Sequence, residues 1–281
     1  MIQGPLELLA SAFLHASWNA MLKREHRPQG AVLGVLSSAL VFAAAAAWIR
    51  PGRGFPTMEG FLWTGAAGLF EGIYFLSLAA ALARASYGAV YAIARGGALL
   101  LVWPAAALWL HEPVTARGAA GAVLVGLGVA AVALAGRDRA SLAGVALAAV
   151  CATTIAGYHL CYDRALQTGA SPAPVFAVAL GVALPLVWAA ARLGGEVAPA
   201  GNWRDAIRRV AAGAVATASF LLFLDGLSLS GAGAALTLRN TSVVFAQLLA
   251  LLLGERVPAR QWIGAAFVAA GAAVLSWPGP S

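Results

Sequence analysis

The stretch "LHEPVTARGAAGAVLVGLGVAAVAL" at residues 110–134 reappears in altered form as "GERVPARQWIGAAFVAAGAAVLSW" at residues 254–277. One glutamate and two glycines align at one constant spacing: Glu112 with Glu255, Gly121 with Gly264, and Gly128 with Gly271. Farther upstream, "YAIARGG" (91–97) aligns with "LTLRNT" (236–241), which sets Arg95 against Arg239. Self-similarity over this length predicts an internal duplication, with one repeat at residues 1–138 and the other at 139–281.

The composition predicts that both repeats lie in a membrane. Hydrophobic residues make up 61% of the 281-residue chain and charged residues only 10%, whereas about a quarter of a soluble domain is charged. So few charges cannot cover a surface that faces water. The net charge of +7 comes from short connections rather than from a basic face interleaved with aromatic residues, so we expect no nucleic-acid partner.

Ten apolar segments approach the length of about 20 residues that a helix needs to cross the hydrocarbon core. They run over residues 6–22, 31–49, 60–82, 86–110, 117–135, 142–163, 172–191, 208–226, 231–253 and 259–277. Five segments fall in each repeat, and because five is odd the second repeat enters the membrane in the opposite orientation. The predicted fold is an all-α integral membrane protein of ten transmembrane helices in two inverted five-helix repeats.

Basic residues are unequally divided between the two sets of connections. One set contains Lys23, Arg24, Arg27, Arg84, Arg137, Arg139, Arg192, Arg204, Arg208, Arg209, Arg256 and Arg260. The opposite set contains Arg50, Arg53, Arg117 and Arg164. The positive-inside rule therefore places the first set in the cytoplasm and both termini outside.

Three motifs resemble the EamA-domain branch of the drug/metabolite transporter superfamily. They are "HASWNAMLK" (15–23), "ARGGALLL" (94–101) and "LRNTSVVFAQLLALLLGE" (238–255), from the first, fourth and ninth segments. A glutamate also ends the fourth and ninth segments, ahead of a glycine-rich helix. The resemblance covers essentially the whole chain and implies a transporter, in a family that moves amino acids, sugars, nucleotide precursors and drugs. It also implies cytoplasmic termini, which conflicts with the charge count.

A row of polar residues follows one face of the first segment. Ser11, His15 and Asn19 recur every four residues and share that face, with Trp18 beside them. Polar groups in lipid either line a cavity or join helices by hydrogen bonds. We expect His15 to line a cavity, because imidazole is costly to bury in lipid and can carry protons. Both readings stay open for Ser11 and Asn19.

Glu71 lies in the middle of the third segment, within "GLFEGIYFLSL" (68–78), and Tyr74 follows one turn later. A carboxylate at this depth must be protonated, paired or hydrated. One interpretation is a group that couples transport to protons or cations, with His15 as the second candidate for this role. The other is a structural ion pair with Arg95.

Two arginines occupy equivalent positions in the repeats. Arg95 follows Tyr91 by one turn, and Arg239 precedes Asn240 and Gln247. The planar guanidinium group suits carboxylate or phosphate. The pattern predicts that the arginines clamp the anionic end of a substrate, and the alternative is that both snorkel toward opposite membrane faces.

The sixth segment adds Tyr158 and His159 to the polar residues that we expect to line the pathway. The predicted substrate-binding set is His15, Trp18, Asn19, Glu71, Tyr74, Tyr91, Arg95, Tyr158, His159, Arg239, Asn240 and Gln247. Glu112 and Glu255 are interpreted as braces between consecutive helices. The uncharged fifth and tenth segments are interpreted as packing or dimerisation helices.

The sequence predicts a secondary transporter in the cell (inner) membrane that exports a small polar or amphipathic metabolite, such as an amino acid or organic anion. Alternating access at a midplane cavity between the repeats is the expected mechanism. The expected partners are the substrate, the lipid bilayer, protons and a second copy in a homodimer. No nucleotide-binding loop or metal-ligand spacing occurs, so we expect neither a cofactor nor enzymatic activity. The alternatives are an uptake permease for an anionic metabolite, a membrane-embedded enzyme and an assembly subunit.

Overall fold

The computed structural model describes residues 3–50, 52, 54–109, 115–136, 141–194 and 202–276. Within these residues the chain is 88% helix and contains no strand. Helices satisfy their own backbone hydrogen bonds, which is the requirement that lipid imposes on a spanning segment. The predicted all-α class is confirmed.

Eleven helices make up the described part of the chain. They are α1 (Gln3–Lys23), α2 (Pro28–Ile49), α3 (Met58–Arg84), α4 (Tyr87–Trp109), α5 (Ala116–Gly136), α6 (Leu142–Gln167), α7 (Pro172–Leu193), α8 (Trp203–Ser230), α9 (Ala232–Arg239), α10 (Ser242–Leu252) and α11 (Ala259–Ser276).

Seven stretches among the described residues are long and apolar enough to cross a membrane. They are α2, α3, α4, α6, α7, α8 and the continuous run Ala232–Leu252 that contains α9 and α10. The chain is therefore a multi-pass membrane protein. The other three predicted spans, α1, α5 and α11, are helices at the predicted positions but do not meet that criterion of length and hydropathy.

The ninth predicted segment is not one regular helix. Its backbone hydrogen bonds tighten at Asn240 and Thr241, where the N–H of Val243 donates to the carbonyl of Asn240 three residues back. The Thr241 hydroxyl donates to the carbonyl of Leu238, also three residues back. Asparagine and threonine compete for backbone groups in this way and weaken a helix interior. The predicted single helix 231–253 is thus corrected to α9 and α10 with a 3₁₀-type junction.

The extensive helix contacts mostly join the first half of the chain to the second. Helix α3 packs on α6 and α7, α1 packs on α8, and α2 packs on α7 and α8. Helix α4 packs on α6 as well as on its neighbour α5. At the α1–α8 contact, Ser11 and Ser219 each donate a hydroxyl to the other's backbone carbonyl. Ser11 therefore joins helices, which is one of its two predicted roles.

Helices α5 and α11 cross at glycines. A Cβ added to Gly264 would lie 2.5 Å from the carbonyl oxygen of Gly128, and one added to Gly271 would lie 2.6 Å from that of Gly121. No side chain fits between the two backbones at these points. Small residues allow this close approach in membrane proteins. The interpretation of these helices as packing elements agrees with the contact.

Glu255 does not brace consecutive helices. Its Oε1 accepts a 2.9 Å hydrogen bond from the N–H of Tyr87, the first residue of α4. Lys23 lies at the same end of the bundle and donates to the carbonyls of Leu82 and Ala85 at the close of α3. A carboxylate at a helix N-terminus and an ammonium group at a helix C-terminus both interact favourably with the helix dipole. The predicted role of Glu255 is therefore wrong, and Glu112 lies outside the described residues.

We expect Gly264→Ala to destabilise the protein, because the added methyl group meets the Gly128 carbonyl and forces α5 and α11 apart. Overpacking of this kind costs about 1–3 kcal/mol. Gly181→Ala on α7 is the matched control, since nothing lies within 4 Å of its added Cβ. Thermal unfolding in detergent should show a clear drop in Tm for Gly264→Ala alone. Equal Tm values for both variants would contradict the packing role of the crossing.

Candidate functional site

All twelve sequence-predicted site residues are buried. Tyr91, at 3%, is the most exposed of them. The ionisable members come from different helices: His15 from α1, Glu71 from α3, Arg95 from α4, His159 from α6 and Arg239 from α9. We call these five residues the central cluster. The fold therefore turns them away from lipid, as expected for ionisable groups inside a membrane protein.

His15 is the residue at which the central cluster is joined by hydrogen bonds. Its Nδ1 lies 2.9 Å from the guanidinium of Arg239 and 3.3 Å from the indole N–H of Trp18. Both groups only donate, so Nδ1 is the unprotonated acceptor. Nε2 therefore carries the proton and donates to the hydroxyl of Tyr74 at 3.3 Å. These three contacts fix the tautomer and orientation of a neutral imidazole.

Asn19 forms a hydrogen bond within α1, the helix that also contains His15. Its amide nitrogen donates to the backbone carbonyl of His15 at 2.7 Å, whereas its side-chain oxygen is buried without a hydrogen-bond partner. The amide nitrogen of Asn19 thus has a structural role, and its oxygen could accept a further hydrogen bond. The two roles that the sequence left open for Asn19 are both compatible with this placement.

Aromatic rings hold both arginines. The Arg239 guanidinium carbon lies 4.0 Å from the ring centre of Phe223 and 4.8 Å from that of Phe220. The Arg95 guanidinium carbon lies 5.7 Å from the ring centre of Tyr91. Ring faces attract cations, more strongly where water is excluded. The sequence analysis missed both phenylalanines because it searched α8 for ionisable groups, although their i, i+3 spacing places them on one face.

The two guanidinium groups keep unused donors. Arg95 is 1% exposed and Arg239 is fully buried, so the alternative of snorkelling to the membrane faces is wrong. NH1 and NH2 of Arg95 have no hydrogen-bond partner in the described part of the chain, nor do Nε and NH1 of Arg239. Buried donors without partners are costly. A ligand with acceptor atoms would satisfy these donors.

Glu71 is fully buried, and neither of its oxygens has a hydrogen-bond partner among the described residues. It is not among the ion pairs found in that part of the chain, so the pair with Arg95 that the sequence left open is not formed. The ring of Tyr162 lies 5.8 Å from that of Tyr158, and its hydroxyl is also buried without a hydrogen-bond partner in the described chain. Tyr162, one turn beyond Tyr158 on α6, is a third residue that the sequence analysis left out of the set, after Phe220 and Phe223.

Tyrosine and histidine rings form the wall beside the arginines. Tyr158 lies 5.6 Å from Tyr74 and 4.9 Å from His159, measured between ring centres. His159 in turn lies 4.5 Å from Phe223. The hydroxyls of Tyr91 and Tyr158 and both ring nitrogens of His159 are buried without hydrogen-bond partners in the described chain. The faces of these rings are therefore apolar, whereas hydroxyl groups and ring nitrogens lie at their edges.

Gln247 stands apart from the central cluster. It lies eight residues beyond Arg239, about 12 Å along the helix axis, and its amide rests against Gly88 on α4. Asn240 lies next to Arg239, at the junction between α9 and α10. Both side-chain amides are buried without partners among the described residues. The predicted set is thus one central cluster with a polar extension toward the end of the bundle that holds Tyr87 and Glu255.

Comparison with known proteins gives a family for the second half of the chain and a fold for the whole of it. Residues 142–277 match the EamA-like transporter family, which confirms the resemblance seen in the sequence motifs. Among 29 matching chains of solved structures, one crystal structure of a protein aligns over 98% of this chain and 97% of its own length. It has a TM-score of 0.70 and 21% sequence identity. No curated protein matches the sequence.

We expect Arg239→Met to leave the fold as stable as the original protein, or to stabilise it by up to about 2 kcal/mol. The reason is that a buried charge without a full set of partners is costly, and an apolar side chain of similar size removes that cost. Arg50→Met is the control for a partly exposed arginine paired with Asp225. Thermal unfolding of both variants measures the effect. A loss of several kcal/mol in Arg239→Met would mean that this arginine is a structural brace.

Proposed function

Since residues 142–277 match the EamA-like transporter family, we propose that this protein is a secondary transporter for a small polar or amphipathic metabolite with an anionic group. One observation carries the proposal. Arg95 and Arg239, buried on helices from the two halves of the chain, present unpartnered N–H groups within one aromatic-walled cluster. Amino acids and organic anions have both the carboxylate and the apolar body that such a cluster accepts.

The proposed architecture is ten spans in two inverted repeats, 1–138 and 139–281. The helix contacts support it, because they occur in matched pairs. When each span of one half is exchanged for its counterpart in the other, the α1–α8 contact becomes the α6–α3 contact, and α2–α8 becomes α7–α3. Helices α5 and α11 are each other's counterparts. The same exchange turns the contact between Gly264 and Gly128 into the contact between Gly121 and Gly271. A two-fold axis in the membrane plane would produce this pattern.

Transport would proceed by alternating access, with the central cluster as the substrate site between the repeats. Each arginine comes from a different half, so a bound anion would connect the two halves. The cell (inner) membrane is the proposed location, export is the proposed direction, and a homodimer is the proposed assembly. Uptake of an anionic metabolite would use the same site in reverse.

Protons are the proposed coupling ion. His15 and Glu71 are the proposed proton carriers, and His15 lies 2.9 Å from the guanidinium of Arg239. Protonation of His15 at Nδ1 would break its bond with Arg239, since that atom could no longer accept. Substrate binding at the arginine and proton binding at the imidazole would then affect each other.

Replacement of either arginine should abolish substrate binding. We expect an amino acid, organic acid or phosphorylated metabolite to raise the Tm of the purified protein, and the rise to disappear in Arg95→Gln and Arg239→Gln. Arg208→Gln, an exposed arginine at the start of α8, is the control. The bound compound should also exchange across proteoliposomes. Stabilisation by amines alone, or equal stabilisation in all three variants, would refute the anion site.

Collapse of the pH gradient across proteoliposomes should slow net transport of that compound at least tenfold. In Glu71→Gln or His15→Gln the rate should no longer respond to the gradient, because the exchangeable proton has been removed. Ser11→Ala serves as a control on α1, since Ser11 only joins α1 to α8. A rate that is indifferent to the gradient in the original protein would establish exchange or facilitated diffusion instead.

A further inference from the structure

Gln247 is a fully buried side chain on α10, outside the central cluster. Neither its Oε1 nor its Nε2 has a hydrogen-bond partner in the described part of the chain. Polar side chains that join helices in a membrane protein do so by hydrogen bonds across the interface, and Gln247 makes none with the described residues. Its amide therefore keeps one acceptor and two donors that a bound compound can use.

Gly88 on α4 provides the space in which this amide lies. A Cβ added to Gly88 would lie 3.1 Å from Oε1 and 3.4 Å from Nε2 of Gln247. The amide thus rests against backbone rather than against a side chain. Because Gln247 is long and flexible, an alanine at this position would displace the amide without forcing the helices apart. We call Gln247 and Gly88 the amide subsite.

The amide subsite lies at a similar separation from the central cluster along both helices. Gly88 precedes Arg95 by seven residues on α4, which is about 10 Å along the helix axis. Gln247 follows Arg239 by eight residues, which is about 12 Å. A compound that contacts an arginine and the amide together must therefore have polar groups at both of its ends, several bonds apart.

Unpartnered polar groups also occur between the two sites. Asn240 and Ser242 precede Gln247 at the junction of α9 and α10, and their side-chain polar atoms are buried without partners among the described residues. Tyr91 follows Gly88 by one turn on α4, and its hydroxyl is likewise unpartnered in that part of the chain. A substrate that extends from the arginines to the amide subsite would pass groups that can bond to it.

Two charged residues at this end of the bundle are bound to helix ends. Glu255 accepts the N–H of Tyr87, and Lys23 donates to the carbonyls of Leu82 and Ala85. Both are partly exposed, whereas the amide subsite is buried. A second charged group of the substrate would be buried there against an amide, which is costly. An uncharged group that donates and accepts hydrogen bonds avoids this cost.

We infer that the amide subsite binds an uncharged amide or hydroxyl group at the end of the substrate opposite to its carboxylate. The substrate class is then the ω-amido and ω-hydroxy carboxylates. The inference rests on the proposed function, because Arg95 and Arg239 must hold the anionic end. A primary amide on the substrate would accept a hydrogen bond from Nε2 of Gln247 and donate one to its Oε1.

The inference is tested with two matched series of monoanions. One consists of the monoamides of straight-chain dicarboxylic acids, from succinamate to suberamate. In the other an isopropyl group, which has the same shape, replaces each terminal amide. Dissociation constants for the purified protein come from thermal stabilisation over a range of probe concentrations. At the chain length that spans both sites, we expect the amide to bind at least about tenfold more tightly than its isopropyl analogue.

Substitutions then change the amide subsite alone. Gln247→Leu removes its donors and acceptor, so the ratio of the two dissociation constants should fall to about one. Gly88→Ala only displaces the amide, and the ratio should fall several-fold. Gly181→Ala on α7, where nothing lies within 4 Å of the added Cβ, should keep the original ratio. A full amide preference in Gln247→Leu would overturn the inference.

The ratio is compared within each variant, so a general loss of carboxylate affinity does not change it. If both series bind equally at every length, and both are weakened in Arg95→Gln and Arg239→Gln, the inference is wrong and the anion site stands. If neither series binds, the inference is also wrong, and the metabolite screen still tests the proposed function. If both arginine variants bind every probe as tightly as the original protein, the inference and the anion site fail together.

A third series, the straight-chain ω-amino carboxylates, tests the contribution of Glu255. We expect these zwitterions to bind more weakly than the amides of the same length, because the ammonium group would be buried against Gln247. Tighter binding of the zwitterions that is lost in Glu255→Gln would show that the Glu255 carboxylate recognises the far end of the substrate, and this result would overturn the inference.

Discussion

A charge buried in lipid-embedded protein must be compensated by another charge, by hydrogen bonds or by polarisable rings, and this constraint governs the arrangement of the whole bundle. The chain has only 10% charged residues, yet it buries Glu71, Arg95 and Arg239 almost completely. The rings of Phe220 and Phe223 cover one guanidinium, and Tyr91 lies beside the other. Helices α1, α3, α4, α6, α8 and α9 enclose this polar centre within the apolar core, because it cannot face lipid.

His15 connects that centre to the packing of α1. Trp18 and Arg239 both donate to its Nδ1, and Tyr74 lies at its Nε2. The ring therefore links α1 to α3 and α9, which belong to different halves of the chain. An anion bound at Arg239 would compete directly for one of these contacts. Binding and helix position would then be connected through one hydrogen bond, and a ligand shifts a conformational equilibrium when it binds one state more tightly than the other.

Much of the fold follows from sequence because its determinants are local. Apolar length identified the helices, and the motifs pointed to the family that residues 142–277 match. Burial of all twelve candidate residues followed from the cost of exposing polar groups to lipid. Three features did not follow: the tightened turn at Asn240, the packing of Phe220 and Phe223 on Arg239, and the cap that Glu255 provides for α4. Each depends on contacts between helices far apart in the chain, which spacing along one helix does not reveal.

Lys23 and Glu255 are hydrogen-bonded to the turn between α3 and α4, and these bonds restrict how that end of the bundle can move. Three hydrogen bonds, two to carbonyls of Leu82 and Ala85 and one from the N–H of Tyr87, hold one backbone corner. Such bonds lose most of their strength within about an ångström of stretch. The three bonds are therefore lost if the turn moves away from Lys23 and Glu255 by more than about this distance. Any motion that separates the α3–α4 turn from the end of α1 and from the connection between α10 and α11 must therefore break these three hydrogen bonds.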